Sequence, residues 1–284
     1  MTILVYGAVI SAVYALLAVG FTLIFGVARI LNLAHGAFYA LGAYTVYVLT
    51  AFAGFPLAVA AICSVLFVAI FGIALERFLV RPLRPQGSLA ILMITLAVGL
   101  MVEQVLLLAF GSEARNVPSF VNATVPVLGV ELSGQRIIAF VGSVVILTAL
   151  WAFLQFTRLG AAILAVSQSP EGARYMGIPS DRIFSAVMGL SAAIAAAAGV
   201  LVAPFQTVIP GMGLLPLVKA FAIVVVGGLG SIPGSILGAL LLGYSETIVA
   251  FMISIEWSQI VSVAATLLML IIRPAGFFGK RAAF

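Results

Sequence analysis

The sequence has 284 residues, of which 64% are hydrophobic and only 7% charged. A soluble chain carries roughly a quarter charged residues because its surface must be solvated, so this composition excludes an ordinary globular domain and leaves lipid as the solvent. The net charge is +5, from 13 Lys+Arg against 8 Asp+Glu; the basic residues fall in short clusters between apolar runs, which is the positive-inside pattern and not that of a nucleic-acid-binding face.

Lipid cannot satisfy free backbone groups, so helices are the default spanning element, and these runs are too long and too uniformly apolar for a closed barrel. The expected fold class is all-α: a polytopic transmembrane helix bundle of about eight or nine helical segments. The first predicted span is 4–28. No basic residue precedes it and the first charge is Arg29, so it reads as a retained helix, not a cleaved signal. The next spans fall at 37–53 and 57–75, the second carrying the single cysteine, Cys63, as a small buried or lipid-facing hydrophobe. Arg77, Arg81 and Arg84 mark a basic loop, followed by a span at 89–110 with Glu103 inside it. Residues 111–136, with Glu113, Arg115 and Glu131, form the largest external loop, suited as a landing surface for a periplasmic partner. A span at 137–156 leads to a second basic loop, 157–183, with Arg158, Arg174 and Arg182. The remaining segments are 184–203, a short 217–227, 234–253 and 259–272, then a tail with Arg273, Lys280 and Arg281. Two spans separate the basic loops, so both face the cytoplasm. Counting the short segment as a crossing puts the basic tail there too and the N-terminus outside.

Residues for catalysis are missing. There is one histidine, His35, no Cys/His cluster for a metal, and no Gly-x-x-x-x-Gly-Lys-Ser/Thr phosphate loop. If the chain works with ATP, another subunit must bind and split it. What stands out instead is backbone. Arg29-Ile30-Leu31-Asn32-Leu33-Ala34-His35-Gly36 interrupts a long apolar stretch, and Gly227-Gly228-Leu229-Gly230-Ser231-Ile232-Pro233-Gly234 breaks another. Non-helical backbone at membrane depth survives only inside protein or beside water. Interrupted segments in two halves suggest an internal repeat lining a transport pathway, with Asn32, His35, Gly36, Gly228, Gly230, Ser231, Pro233 and Gly234 as its candidate residues. The four-residue spacing of Gly230, Gly234 and Gly238 reads as tight helix packing. Of the embedded acids, Glu103 is a candidate pathway residue, while Glu246 and Glu256 flank a short turn and are expected at an interface. In the second basic loop Pro170 can start a short helix, with Glu171 at its positive end, and Gly177 can stop it. Such a helix can dock in a partner's groove.

Four features together resemble the LivH/LivM permeases of branched-chain amino acid ABC importers, the LivH-like half above all: Asn32-Leu33-Ala34-His35-Gly36 running into Leu41-Gly42-Ala43-Tyr44; Glu76-Arg77 before Arg81-Pro82-Leu83-Arg84; Glu171-Gly172-Ala173 with Met176-Gly177-Ile178; and the 227–234 segment with Arg273-Pro274-Ala275-Gly276-Phe277-Phe278-Gly279-Lys280. They span nearly the whole chain. The resemblance implies one transmembrane permease domain over 1–284, in the bacterial cytoplasmic (inner) membrane. It also implies a coupling helix carried by Glu171, Gly172, Ala173, Arg174 and Gly177 that inserts into the ATPase. The implied partners are a second, LivM-like permease or a second copy of this chain, two ABC ATPase subunits that hold ATP and Mg, and a periplasmic solute-binding protein. The implied cargo is a branched-chain or related amino acid, or a similar small polar solute. An ion-coupled secondary transporter is the alternative, because it too uses broken helices.

Overall fold

The computed structural model describes residues 1–121, 123–273 and 276–278. The chain is almost entirely helical: α1 (Thr2–Ala28), α2 (His35–Ala51), α3 (Leu57–Leu75), a π turn (Glu76–Val80), α4 (Arg81–Leu83) and a 3₁₀ turn (Arg84–Gln86), then α5 (Ser88–Phe110). After a hairpin of β1 (Thr124–Val127) and β2 (Val130–Ser133) come α6 (Gly134–Phe156), α7 (Arg158–Gln168), α8 (Pro170–Tyr175), α9 (Ser180–Val202), a 3₁₀ turn (Pro210–Gly213), α10 (Leu214–Gly227), α11 (Ile232–Met252) and α12 (Ile255–Ile272). Seven helical stretches among the described residues are long and apolar enough to cross a bilayer. This is a polytopic helical bundle, as expected.

Four local expectations change. The first basic loop is helical: α3 continues through the π turn, α4 and the 3₁₀ turn as one run, Leu57–Gln86. Pro82 and Pro85 are the second residues of α4 and of the 3₁₀ turn, where the helical hydrogen-bond pattern changes from π to α to 3₁₀. The second basic loop holds two helices, α7 and α8, instead of one. The external loop holds the β1–β2 hairpin, turned by Leu128 and Gly129, both at positive φ. The short 217–227 segment begins earlier than expected. With its 3₁₀ turn it runs Pro210–Gly227, long and apolar enough for a span by length and composition.

α1 and α9 form the centre. About three quarters of the apolar 18-residue stretch in each is buried (78% and 72%), whereas the corresponding stretches of α3, α5 and α6 are buried over less than a third. In lipid there is no hydrophobic drive between helices, so close approach through small residues decides what packs centrally. α9 supplies such a face: Ala192 against Gly72, Ala196 against Gly42, and Gly199 against the Tyr39 carbonyl. α1 and α11 run antiparallel, with Gly7 against Tyr244, Ser11 against Gly243, Thr22 bonded to Ser235, and Gly26 against Gly230. Cys63 is exposed on α3, one of the expected alternatives.

One end of the bundle collects the basic residues. There Arg81 and Arg84 pair with Asp181 at the start of α9, and Arg84 reaches Glu76 at 2.6 Å and covers the Phe184 ring at 4.0 Å. Ser185 also donates to the buried Glu76 carboxylate. The hairpin lies at the opposite end, where Val5 and Val9 of α1 pack on Leu132 and Ile137.

Candidate functional site

The first break leaves α1 through Arg29, held in the left-handed region at φ 55°. It does not stay at the bundle's end. His35, the first residue of α2, bonds the Leu17 carbonyl of α1 through Nε2 at 3.1 Å. Leu17 lies 11 residues before Ala28, where α1 ends (28 − 17), or about 16 Å at 1.5 Å per residue. The chain therefore folds back into the bundle before α2 begins. Its polar groups are fixed internally. Asn32 Oδ1 accepts the Ala34 amide at 3.1 Å, Thr95 Oγ1 of α5 accepts the Leu33 amide at 3.2 Å, and Ser191 of α9 donates to the Gly20 carbonyl at 2.7 Å, beside His35. Asn32 and His35 are both about 1% exposed; they hold the break in place from behind.

A second break enters from the other end. After α9 the chain turns back at Ala203 and passes Val208, whose backbone forms a two-way bridge with Arg115 of the external loop (both bonds 2.9 Å). It ends in the Pro210–Gly213 turn. The two breaks meet at Gly36 and Gly213. A Cβ on either would strike the carbonyl oxygen of the other, so only glycine permits this approach. From the contact α2 runs toward the hairpin end and α10 toward the basic end. Two half-helices thus start side by side and leave in opposite directions, and the positive ends of both dipoles lie together. A cleft opens here, bounded by Leu33, Gly36, Glu103 of α5, Pro210, Gly213 and Leu214. Glu103 lies over the second break, its Oε1 3.0 Å from where a Cβ on Gly211 would sit. The surrounding outer face, including Leu96, Leu100, Leu214 and Leu215, is exposed.

Of the eight residues named as pathway candidates, Gly36 borders this cleft; Asn32 and His35 support it. Gly228, Gly230, Ser231, Pro233 and Gly234 lie elsewhere, at the basic end of α10 and α11. There Gly234 packs on Gly227, Gly230 packs on Gly26, and Ser231 Oγ caps α11 through the Gly234 amide at 3.2 Å. The backbone amides of Phe277 and Phe278 donate to the Val226 and Gly227 carbonyls at 3.0 Å, closing the end of α10. Pro274, Ala275, Gly279, Lys280 and Arg281 of the tail lie outside the described residues. The glycine spacing serves close packing, since Gly238 also fits against the Ile223 carbonyl. Sequence reasoning misses Pro210–Gly213 as the partner of the first break. The available signal is Pro210-Gly211-Met212-Gly213 inside an apolar stretch, as strong a helix interruption as 227–234.

The acids also divide. Glu256 is exposed at the start of α12. Glu246 is not at an interface as expected: it is 4% exposed, 2.8 Å from Lys219 Nζ of α10 and 2.6 Å from the Tyr14 hydroxyl of α1, with Ser262 of α12 donating to its other oxygen. A carboxylate in an apolar bundle is retained when a cation and donors surround it, and here these come from three other helices. Lys219, a lone cation in α10, is the residue whose meaning the sequence conceals.

At the basic end, α8 stands as the residues require. Ser169 Oγ accepts the Gly172 amide at 3.0 Å, Pro170 fills the first position, and Gly177 at φ 81° ends the helix, with Ile178 returning a bond to the Ala173 carbonyl at 3.0 Å. Ala173 is buried against the bundle. Glu171, Arg174 and Gly177 are exposed, and Tyr175 and Met176 are nearly bare (90% and 83%). Those two large side chains were not among the predicted coupling residues.

Comparisons with known proteins agree over nearly the full length. The family described as "Branched-chain amino acid transport system / permease component" matches residues 3–271. The chain is 33% identical to the high-affinity branched-chain amino acid transport system permease protein BraD of Pseudomonas aeruginosa, covering 98% of this chain and 95% of that one. It is 30% identical to the corresponding LivH of Escherichia coli (96% and 94%), and 31% identical to a probable LivH of Methanocaldococcus jannaschii (96% and 91%). Among solved structures, PsaBC from Streptococcus pneumoniae in complex with Fab aligns with a TM-score of 0.55 at 16% identity, over 98% of this chain and 94% of that one. That likeness concerns the fold alone. None of these matches supports the ion-coupled alternative.

Proposed function

The chain belongs to the family of branched-chain amino acid transport system permease components, and on that premise we propose that it is one membrane-spanning half of an ATP-driven importer for branched-chain or related amino acids. It is a multi-pass protein of the bacterial inner membrane and a translocation subunit, not an enzyme. In this reading residues 1–284 form one permease domain. ATP and Mg belong to two ABC ATPase subunits, and a periplasmic binding protein delivers the solute to the external loop, 111–136. A LivM-like permease or a second copy of this chain covers the outer face of α5 and α10.

The observation that carries the reading is the meeting of two half-helices at Gly36 and Gly213. Their backbones enter from opposite ends, so a small tilt of the helices bearing them opens the contact toward one side while closing it toward the other. Each break is also linked to a surface where a partner can act. The second is bridged through Val208 to Arg115 of the external loop. The first rests through His35 and Ser191 on α9, whose start, Asp181, lies at the end of the coupling loop 157–183 and is paired with Arg81 and Arg84. ATPase closure against α8 pushes α9 and the attached end of α3 together. Gly36 sits at the moving contact with Asn32 and His35 bracing it from behind, and the Gly228–Gly234 segment with Ser231 and Pro233 joins α10 to α11 at the basic end.

The test is the complete complex in proteoliposomes, carrying Glu171→Trp with Gly172→Leu, or Tyr175→Ala. The bulky pair is expected to abolish ATP-driven uptake and the ATPase stimulation by loaded binding protein while the permease pair still assembles. Tyr175→Ala is expected to weaken recovery of the ATPase with the membrane subunits, as loss of an interface aromatic does, by about tenfold in affinity. Uptake and stimulation unchanged in both would remove the coupling assignment.

A further inference from the structure

Resting on that reading, we propose that Glu103 recognises the ammonium group of a zwitterionic aliphatic amino acid as it passes the Gly36–Gly213 contact. Among the described residues the other two carboxylates set into apolar helices, Glu76 and Glu246, are buried and each is held by a cation and a hydroxyl donor. Glu103 is partly open to the cleft and takes part in no ion pair or hydrogen bond among those residues. It lies seven residues before the end of α5 (110 − 103), or about 10 Å inside it. A carboxylate at that depth without a partner is costly and marks a pathway.

The walls narrow the ligand's chemistry. Leu33, Leu96, Leu100, Leu214 and Leu217 make the cleft apolar, which suits an aliphatic side chain and repels a polar one. The starts of α2 and α10 add partial positive charge at the same place. A molecule with an ammonium, a carboxylate and an aliphatic chain on one carbon matches the carboxylate of Glu103, the polarity of the helix starts and the leucine wall together. A bare inorganic cation would leave the leucines without purpose, and a neutral apolar solute would leave Glu103 unpaired. In this reading the second permease covers the exposed Leu96, Leu100 and Leu214 on the same side, so cargo meets Glu103 only within the assembled pair.

The experiment is ATP-driven uptake of radiolabelled leucine by the assembled transporter in proteoliposomes with its binding protein, for wild type, Glu103→Asp, Glu103→Gln and Glu103→Lys, each with a thermal melt of the purified complex. Gln keeps the shape of Glu and removes only the charge. The expected order is Glu, then Asp, then Gln, then Lys, with Gln slower than wild type by about tenfold or more, the worth of a charge-assisted hydrogen bond, and with similar melting temperatures for wild type, Asp and Gln, while Lys, a cation set against two positive helix starts, melts lower. Wild-type uptake in Glu103→Gln would overturn the assignment. So would losses that follow melting temperature instead of charge, the signature of a carboxylate that only balances the two helix starts. Absence of ATP-dependent uptake in the wild-type complex is a different result: it would reject the importer reading itself, and this assignment with it.

Discussion

Two carboxylates embedded in the bundle, Glu246 and Glu103, have opposite surroundings. Glu246 is enclosed by Lys219, Tyr14 and Ser262, so α1, α10, α11 and α12 all contribute to one buried polar cluster. Glu103 faces a cleft between the two chain breaks with an apolar wall around it. The first arrangement leaves nothing for a ligand to satisfy, and its consequence is rigidity: the half-helix α10 is fixed to its neighbours near one level of the bundle. The second leaves a charge unmatched where the backbone is most irregular. Embedded charge is therefore informative only together with its partners, and the unpartnered case is the one proposed for the pathway.

The contrast can be broken by substitution. The largest effect is expected for Lys219→Met, which strands a buried carboxylate at a cost of about 3–5 kcal/mol. The measurement is thermal unfolding of the purified permease in detergent, and adding Glu246→Gln should restore most of the loss because no unpaired charge then remains. Stability equal to wild type in the single variant would show that Glu246 is not held by Lys219. A smaller loss, about 1–3 kcal/mol, is expected for Arg84→Ala, since Glu76 loses its guanidinium but keeps Ser185, and Arg84 itself is partly solvated. This variant should also loosen the joint between α3 and α9, read as faster hydrogen exchange at the start of α9. The smallest stability effect belongs to Glu103→Gln, within about 0.5 kcal/mol of wild type, because no contact of Glu103 is lost. A fall comparable to that of Lys219→Met would erase the distinction between the two acids.

What could be read in advance was local. Ser169, Pro170 and Gly177 delimit α8 because capping, a fixed proline φ and a left-handed stop act over one or two turns. The breaks at 29–36 and 227–234 are legible for the same reason, as are the glycine contacts at four-residue spacing. The Leu128-Gly129 turn and helix α7 lie in stretches read as loops from the charges around them, which masked short regular structure. The depth of a break is different, since it depends on what the returning chain meets. Asn32 and His35 look like pathway groups by residue type, yet Met188, Leu17 and Ser191 take up their polar atoms. Glu246 looks like a turn residue until Lys219, 27 positions away, and Tyr14, 232 positions away, are brought beside it.

By itself the sequence determined that this protein lies in lipid as a bundle of helices, because scarce charge and long apolar runs leave the backbone no other way to satisfy its hydrogen bonds. Only the tertiary structure decided that the first break faces Pro210–Gly213 and not the glycine-rich segment before α11. It also decided which acid is matched and which is open. Both are settled by contacts between residues far apart in the chain, where van der Waals fit and pairwise electrostatics act at a few ångströms and leave no periodic trace in the order of residues.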